Sequence, residues 1–329
     1  MSLLAPTLQR FFTERLVRQR QASPATIASY RDSVGLLVGF AAKRAGKQPS
    51  SLSFDDLTAE IVTAFLTHLE TDRHNTAQTR NNRLAAIRAL FRYAALRHPE
   101  HAELIARVLA IPQKRHDKMI VTFLTHTEAQ ALLAAPDPAR WEGRRDRALL
   151  ALAVQTGLRL TELTSLDCSD ITLSAGPHLT CMGKGRKQRT VPLTTNTVAV
   201  LRTWTRERGG LPNDALFPTR TGKRLSPDAV QRRVGIHVTT ATEHCPTLAH
   251  KNVTPHTLRH TAAMALLQAG VDVSVIALWL GHEDIRSTQT YLHADLTIKQ
   301  RALERTTPTS ATPGRFKPAD PLLAFLEAL

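Results

Sequence analysis

The sequence predicts a mainly α-helical protein with a small antiparallel β-sheet, divided into two domains. Its 329 residues correspond to about two domains of ordinary size. Apolar residues recur at helical spacing over about the first 110 positions and again from Pro227 onward. Between these regions, residues 170–193 alternate and are interrupted by Gly176-Pro177 and by a GKG turn at 183–185, which is typical of short antiparallel strands.

The first domain, residues 1–110, is predicted to be helical. Ser23-Pro24 marks the start of a helix that Gly46 ends, a second apolar stripe follows at 61–69, and a third helix spans 76–96. Such a third helix could present its basic side chains either to solvent or to the phosphates of DNA. The candidate DNA-binding residues on it are Arg80, Arg83, Arg88 and Arg92.

A polar, basic linker that contains proline is predicted over residues 111–122, and a second domain over 123–305. Thr125 or Thr127 is expected to cap a helix that runs through Ala134, and a helix over 146–155 is expected to end at Gly157. Residues 306–329 are predicted to be a flexible Thr- and Pro-rich linker followed by a short, very apolar docking helix.

The composition favours a packed protein in a reducing compartment. Hydrophobic residues make up 42% of the chain and charged residues 22%, which excludes wholesale disorder. The three cysteines, Cys168, Cys181 and Cys245, form no close pair, so neither a disulfide framework nor a cysteine zinc site is indicated. The longest apolar stretches are about 11 residues, whereas a membrane helix needs about 20, and no secretory signal pattern is present. A cytoplasmic protein without a membrane partner is expected.

The net charge points to a polyanionic partner, with nucleic acid ahead of a membrane surface. The formal charge is +15. Residues 1–120 carry 18 basic and 10 acidic residues, and residues 121–329 carry 25 and 18, so a single basic tail does not account for the excess. Both halves are therefore expected to contact the same polyanion.

Four segments carry the residues most suited to chemistry. They are TGLRLTEL at 156–163, GKGRKQRTVPL at 183–193, TPHTLRHTAA at 254–263 and LGHEDIRSTQTYLHAD at 280–295. Together they supply two arginines, a lysine, two histidines and a tyrosine, without a carboxylate cluster suited to Mg²⁺. Two guanidiniums can grip one phosphate, and a tyrosine hydroxyl is a possible nucleophile in cationic surroundings. This set suits phosphoryl transfer without a metal, nucleotide or other cofactor.

The order and spacing of these four segments resemble those of the tyrosine recombinases, also called the phage integrase family. They resemble, in turn, the family's first arginine box, its β-hairpin lysine segment, its His-x-x-Arg box and its box of Gly-His and nucleophilic tyrosine. The resemblance covers residues from about 7 to 305. It implies a helical SAM-like core-binding domain followed by the recombinase catalytic domain, the two forming a clamp around DNA.

The resemblance also implies roles for individual residues. Arg159 and Arg259 match the pair that binds the scissile phosphate, and His282 matches a donor to the same phosphate. Lys184 matches the lysine that protonates the leaving 5′ oxygen, with Lys187 as a substitute on the same turn. His256 matches the residue that helps manage the proton of the nucleophile and binds the phosphate. Tyr291 matches the nucleophile itself.

By this resemblance the protein is expected to be a site-specific DNA recombinase or integrase. It would cleave and rejoin strands through a 3′-phosphotyrosyl intermediate, as a homotetramer on double-stranded DNA, with sister recombinases possible. A nucleoid-associated location is expected from that activity. The resemblance favours a simple Xer-like recombinase or one borne on a mobile element such as a transposon or plasmid. Two departures from the family pattern stand out. Residues 235–252, with His237, His244 and His250, are expected to form an extra loop, and the C-terminal helix is expected to dock in cis or on a neighbouring protomer.

Three other interpretations stay open. His256 and His260 are four residues apart and could ligate zinc, although no Glu stands in a metalloprotease register and Arg259 lies between them. Otherwise His260 and His293 are expected to pack or to support the site. The protein could also be a catalytically silent DNA-binding protein on the same fold. A topoisomerase-like enzyme would share the chemistry but relax one duplex instead of exchanging arms between two.

Overall fold

The computed structural model describes residues 3–115, 121–183 and 187–282, together with Thr288 and Tyr291. The chain divides into two compact units, Met1–Lys118 and Met119–Leu329. In the described part of the chain, no helix is long and apolar enough to cross a membrane. The C-terminal linker and helix predicted over 306–329 lie outside the described residues.

The first unit is helical. Its helices are α1 (Leu4–Arg10), which continues as a wider π-type helix over Phe11–Gln19, α2 (Pro24–Ala45), α3 (Ala59–Thr71), α4 (Ala77–Ala95) and α5 (Ala102–Ala110). The predicted start and end of α2 are confirmed, because the Ser23 side chain accepts from the Thr26 amide and Gly46 adopts φ 64°. Leu37, Phe65 and Phe91 are fully buried where α2, α3 and α4 pack together.

The segment after α5 lies along α4. The Arg80 guanidinium donates to the carbonyl of Pro112 at 3.0 Å, and Arg88 donates to the carbonyl of Ile111. Asn81 makes a two-way contact with Lys114, donating to its carbonyl at 2.8 Å and accepting from its amide at 3.0 Å. The first residues of the predicted linker are therefore held by side chains of the first unit.

The second unit combines helices with a small sheet. Its helices are α6 (His126–Ala134), α7 (Trp141–Thr156), α8 (Leu160–Ser165), α9 (Thr195–Arg208), α10 (Pro227–His244), α11 (Pro255–Gln268) and α12 (Val273–Leu280). Thr125 is the cap of α6, where it forms a capping box with Glu128. Helix α7 begins five residues before the predicted start, because Arg145 in its polar first turns is buried against Asp146.

The described strands form one antiparallel sheet in the order β1 (Ile171–Thr172), β2 (His178–Met182) and β3 (Gln188–Pro192). Leu179 pairs with Val191, and both are fully buried against the helices. In the same pair of strands, Cys181 lies opposite Arg189. Because paired residues point to the same face of a sheet, the Arg189 side chain points to the interior, as that of Cys181 does. The small antiparallel sheet predicted from the sequence is confirmed.

The prediction of an extra loop over residues 235–252 is wrong. Helix α10 runs through this region to His244, and a 3₁₀ turn follows over Pro246–His250. The helix continues because His237 is buried and contacts the Asp146 carboxylate at 2.8 Å, where Arg145 and Arg233 also donate. The first part of the segment that was expected to form a loop, up to His244, thus lies on a helix tied to α7.

Candidate active site

One pocket of the second unit brings together five of the predicted site residues. It has a volume of about 670 Å³. The chemically active side chains that line it are Arg159, His256, Arg259, His260, His282 and Tyr291. They come from the start of α8, the first turns of α11 and the segment after α12, so residues 132 positions apart in sequence meet at one place.

Three arginines converge on the C-terminal end of α12. The last carbonyls of a helix have no partner within the helix and carry the negative end of its dipole. Each of three consecutive carbonyls accepts from a different arginine: Trp279 from Arg189 at 3.1 Å, Leu280 from Arg259 at 2.7 Å, and Gly281 from Arg159 at 2.8 Å. The end of α12 therefore sets the positions of the two predicted phosphate-binding arginines.

Gly281 makes this arrangement possible. It ends α12 in the left-handed conformation, with φ 65°. A Cβ atom there would lie 2.8 Å from Nη1 of Arg189, which is too close for real side chains. Glycine is thus required both by its backbone angle and by the approach of the guanidinium, and its turn directs His282 into the pocket.

Glu162 joins two of these arginines. Its carboxylate accepts from the backbone and guanidinium of Arg159, each at 2.8 Å, and from both Nη atoms of Arg189 at 3.0 and 2.7 Å. Burial alone would favour the neutral acid, but the hydrogen bonds from Arg189 and Arg159 hold the pKa of Glu162 below its ordinary value. Glu162 is therefore an anion that orients two cations at the base of the pocket.

Arg259 is buried on α11, with 3% of its surface exposed. It donates to the carbonyl of Gly157 at 2.6 Å as well as to Leu280. Burial, and then the charge of Arg159, lower the pKa of Arg259 to about 10. The side chain therefore stays cationic at neutral pH, and its plane is fixed by two carbonyls from different elements.

Tyr291 is 2% exposed, and its hydroxyl lies 3.0 Å from Nδ1 of His260. Burial raises the pKa of Tyr291, although the charges of Arg259 and Arg159 oppose this. The phenol is therefore protonated at neutral pH. The contact with His260 was not expected from the sequence, which placed that histidine in a packing or supporting role.

The other two histidines of the pocket are placed differently. His282 lies with its ring nearly parallel to that of Tyr291, with centroids 6.5 Å apart, and its Nδ1 contacts the Thr288 hydroxyl at 2.7 Å. Burial and the charge of Arg259 lower the pKa of His282 to about 4. His256 is exposed at the edge of the pocket, and its ring lies 4.1 Å from that of His260 between centroids. Desolvation and the charge of Arg259 also lower the pKa of His256.

In the sequence, the two predicted lysines stand between the last residue of β2 and the first residue of β3. Lys184 falls outside the described residues, as does His293. Lys187 is exposed, and its carbonyl accepts from the Gly183 amide at 2.8 Å. A Cβ atom on Gly183 would lie 3.0 Å from Nη1 of Arg189, so the described base of the hairpin rests on the arginine network.

The four arginines of α4 do not form one exposed face, contrary to the expectation from the sequence. Arg80 is buried and Arg88 is half-buried, and both donate to carbonyls of the segment after α5. Arg83 is half-buried, and its burial lowers its pKa. Arg92 is exposed. The sequence pattern is the same for all four, so only the packing of α4 separates them.

Two residues of the network were missed in the sequence. Glu162 stands three residues after Arg159, the spacing of a capping box, which could have signalled its bond to the Arg159 amide. Arg189 is one of several basic residues in its segment, and nothing in the sequence distinguishes it. In the described part of the chain, no three or more His, Cys, Asp or Glu side chains are grouped so as to hold a metal ion.

Comparisons with known proteins identify the family. The model described as "Phage integrase family" matches residues 122–297, and "Phage integrase, N-terminal SAM-like domain" matches residues 9–98. The putative integrase/recombinase y4rC of Sinorhizobium fredii is 51% identical, over 99% of this chain and 98% of its own. The tyrosine recombinase XerC of Pelobacter propionicus is 35% identical, over 92% of this chain and 96% of its own.

The fold also matches a solved structure, the XerH site-specific recombinase bound to palindromic difH substrate in a post-cleavage complex. The TM-score is 0.66 at 24% identity, over 87% of this chain and 81% of that one. The chain therefore belongs to the phage integrase family, the tyrosine recombinases, and is a strand-exchange enzyme.

Proposed function

We propose that this protein is a site-specific DNA recombinase that cleaves and rejoins strands through a bond between Tyr291 and a 3′ phosphate. The observation that carries the proposal is the pocket in which the Tyr291 hydroxyl lies with Arg159 and Arg259. The Arg159 guanidinium donates to the carbonyl of Gly281 and that of Arg259 donates to the carbonyl of Leu280, both at the end of α12. Their positions are therefore set before any phosphate arrives.

Arg159 and Arg259 are proposed to bind the non-bridging oxygens of the scissile phosphate. A guanidinium has five N–H donors, and the contacts described for each of these side chains use two of them. Donors therefore remain for phosphate oxygens, and the planar fork matches two oxygens at once. His282, beside Tyr291, is proposed to supply a further hydrogen bond to the same group.

The reaction has two matching halves. The Tyr291 oxygen attacks phosphorus and the bond to the 5′ oxygen breaks, with Lys184, or Lys187 in its place, proposed to protonate that oxygen. A 5′ hydroxyl from another strand then attacks the phosphotyrosyl bond and releases Tyr291. The first half exchanges a DNA phosphodiester for a phosphotyrosyl ester, and the second half exchanges that ester for a new DNA phosphodiester. No nucleotide is therefore required, and the charge of the phosphate is balanced by arginines without a metal.

Exchange between two duplexes involves four strands, each of which needs one tyrosine. A homotetramer on double-stranded DNA is therefore the proposed assembly, with sister recombinases as possible members. A post-cleavage DNA complex is known for the structurally similar XerH, which supports DNA as the substrate. A DNA substrate of this kind places the protein with the nucleoid in the cytoplasm.

The test is a nicked suicide duplex that carries the recombination site. Replacement of Tyr291 by Phe removes one hydroxyl, so DNA binding should stay and the covalent protein–DNA adduct should disappear from a denaturing gel. An adduct formed by Tyr291→Phe would exclude Tyr291 as the nucleophile. With the unchanged protein, two marked duplexes should exchange arms. Relaxation of one plasmid without exchange would favour a topoisomerase, and binding without any adduct would favour a silent DNA-binding protein.

A further inference from the structure

The hydroxyl of Tyr291 requires an acceptor for its proton before it can attack phosphorus. Its pKa is raised by burial, so the phenol is protonated at neutral pH. A buried hydroxyl in a protein almost always has a hydrogen-bond partner. Here that partner is Nδ1 of His260 at 3.0 Å, whereas the family resemblance assigns the proton to His256.

We infer that His260, and not His256, is the base that orients Tyr291 and accepts its proton during strand cleavage. The inference rests on the proposed function, since it takes Tyr291 as the nucleophile. With the phenol as donor, Nδ1 of His260 is the acceptor and the ring carries its hydrogen on Nε2. The hydrogen bond fixes the direction of the hydroxyl, and the proton moves along it.

Each proton that moves has a proposed donor and a proposed acceptor. As the bond from the Tyr291 oxygen to phosphorus forms and the bond to the 5′ oxygen breaks, the phenolic proton passes to Nδ1 of His260. The leaving 5′ oxygen takes its proton from a different acid, for which Lys184 is proposed. In the second half of the reaction, His260 returns a proton to Tyr291 as the phosphotyrosyl bond breaks, and the attacking 5′ hydroxyl gives its proton to the acid proposed for the first half, Lys184.

Tyr291, His260 and His256 differ in their exposure to solvent. Tyr291 is buried, His260 is half-buried and His256 is exposed. The rings of His260 and Tyr291 have centroids 5.5 Å apart, and those of His256 and His260 are 4.1 Å apart. The half-buried ring of His260 therefore lies next to the buried phenol on one side and the exposed ring of His256 on the other.

Burial and the charges around His260 keep its ring unprotonated in the absence of DNA. Burial, followed by the charges of His256, Arg259 and His282, lowers the pKa of His260 to about 4, so the ring is neutral at pH 7. A phosphate bound between Arg159 and Arg259 adds negative charge close to these groups and offsets their effect. His260 therefore becomes a stronger base when DNA is bound, which ties proton transfer to substrate binding.

The experiment compares His260→Asn, His260→Ala and His256→Ala in single-turnover cleavage of the suicide duplex from pH 6.5 to 9. Asn keeps an acceptor near the position of Nδ1 but takes no proton. For both His260 variants we expect a rate at pH 7 about a hundredfold to ten-thousandfold lower. The rate should then rise about tenfold per pH unit, since only the tyrosinate fraction attacks. The unchanged protein should be nearly flat, and His256→Ala should keep that flat profile.

Two further measurements separate a base from a structural support. Added imidazole should restore cleavage by His260→Ala and have no effect on His260→Asn, because only the Ala variant leaves space for it. A substrate with sulfur in place of the bridging 5′ oxygen needs no acid to leave, so it should not correct either His260 variant. Far-UV circular dichroism checks that the variants are folded.

Several outcomes would overturn the inference. One is cleavage by His260→Asn at the normal rate, with a rate that does not change with pH. Another is slow cleavage by His260→Asn at a rate that does not change with pH, together with a His260→Ala variant that imidazole does not restore. The sulfur substrate could restore His260→Asn, which would make His260 the acid instead. If the cleavage rate rose steeply with pH in His256→Ala and not in the His260 variants, His256 would be the residue that accepts the proton of Tyr291. An adduct formed by Tyr291→Phe would refute the proposed function, a result distinct from all of these.

Discussion

Arg259 is nearly inaccessible yet cationic, and this combination depends on its two carbonyl partners. The carbonyls of Gly157 and Leu280 accept hydrogen bonds from its guanidinium, which offsets part of the cost of burying its charge. Both carbonyls belong to positions where helices end, α7 at Gly157 and α12 at Leu280. A residue-level change at Arg259 is therefore expected to alter chemistry more than DNA binding.

Replacement of Arg259 by Lys should lower the cleavage rate by about a hundredfold to a thousandfold. One ammonium group cannot contact both carbonyls and also present a planar fork to the phosphate. Arg159→Lys should behave similarly. The measurement is single-turnover adduct formation, with the affinity for uncleaved DNA measured in parallel. Arg206→Lys, on the exposed face of α9, is the matched control and should cleave normally. Near-normal cleavage by either variant would remove that arginine from the site.

Glu162→Gln should destabilise the protein by about 3–5 kcal/mol at pH 7, because it leaves Arg159 and Arg189 without their shared anion. The folded-state pKa of Glu162 lies below its ordinary value, so this stabilisation is present above about pH 4.5 and is lost as the pH falls through the folded pKa. The difference in urea-unfolding free energy between the two proteins should therefore be constant from pH 6 to 8 and shrink below about 4.5.

The exposed Glu243→Gln variant on α10 is the control for this measurement and should show little difference at any pH. A difference for Glu162→Gln under 1 kcal/mol at pH 7, or one that is unchanged down to pH 3, would contradict the assigned role. The first result would mean that solvent replaces the carboxylate. The second would mean that the loss does not come from the charge of Glu162.

At the scale of an element, α4 carries two kinds of arginine on one helix. Arg80 and Arg88 face the segment after α5 and hold its carbonyls, while Arg92 is exposed near the end of the helix. The same residue type therefore stabilises the unit at some positions and remains available for a phosphate at another. The helix has no acidic residue to compete for either group.

Arg92→Ala and Arg80→Ala should separate these two roles. For Arg92→Ala, the slope of log affinity for DNA against log salt should become smaller by about 1, with no change in thermal stability. Arg80→Ala should lower the stability by about 1–3 kcal/mol, since it leaves the carbonyl of Pro112 unpaired. An unchanged salt slope for Arg92→Ala would make that residue ordinary surface, and an unchanged stability for Arg80→Ala would show that its buried contacts contribute little.

At the scale of the whole molecule, the positive charge is shared by both halves of the chain, with an excess of +8 in residues 1–120 and +7 in 121–329. Each unit therefore has the electrostatic basis for DNA contact. The apolar segment over 321–329 lies outside the described residues. A helix of about nine residues is too short to be stable alone, so it needs a surface to pack on.

Truncation after Thr307 should leave the protein folded and able to bind one site, while synapsis and coordinated strand exchange are lost. The reason is that the predicted Thr- and Pro-rich linker over 306–318 has 13 residues, a length that allows the apolar segment to reach a neighbouring protomer. Circular dichroism, gel shift and recombination of two marked duplexes measure the three properties. Phe325→Asp in the full chain should reproduce the loss without removing residues. Unfolding of the truncated protein would instead indicate packing in cis, and intact recombination would show that the segment is dispensable.

The sequence by itself determined the features that depend on residues close together in the chain. Ser23, Gly46, Thr76 and Gly157 begin or end helices where their side-chain oxygens or backbone freedom predict it, because a cap acts within about four residues. The order of the four motifs was likewise sufficient to predict the family. Each motif is a short run of residues whose spacing does not depend on the rest of the fold.

Tertiary structure decided what depends on distant partners. The contacts of Arg159 with Gly281, of Arg259 with Gly157 and of His260 with Tyr291 join positions 122, 102 and 31 residues apart. Burial of Arg80 and continuation of α10 past Gly235 also rest on side chains from other elements. Hydrogen bonds of this kind form only after packing has brought the elements together, so no local pattern in the sequence encodes which histidine meets the tyrosine.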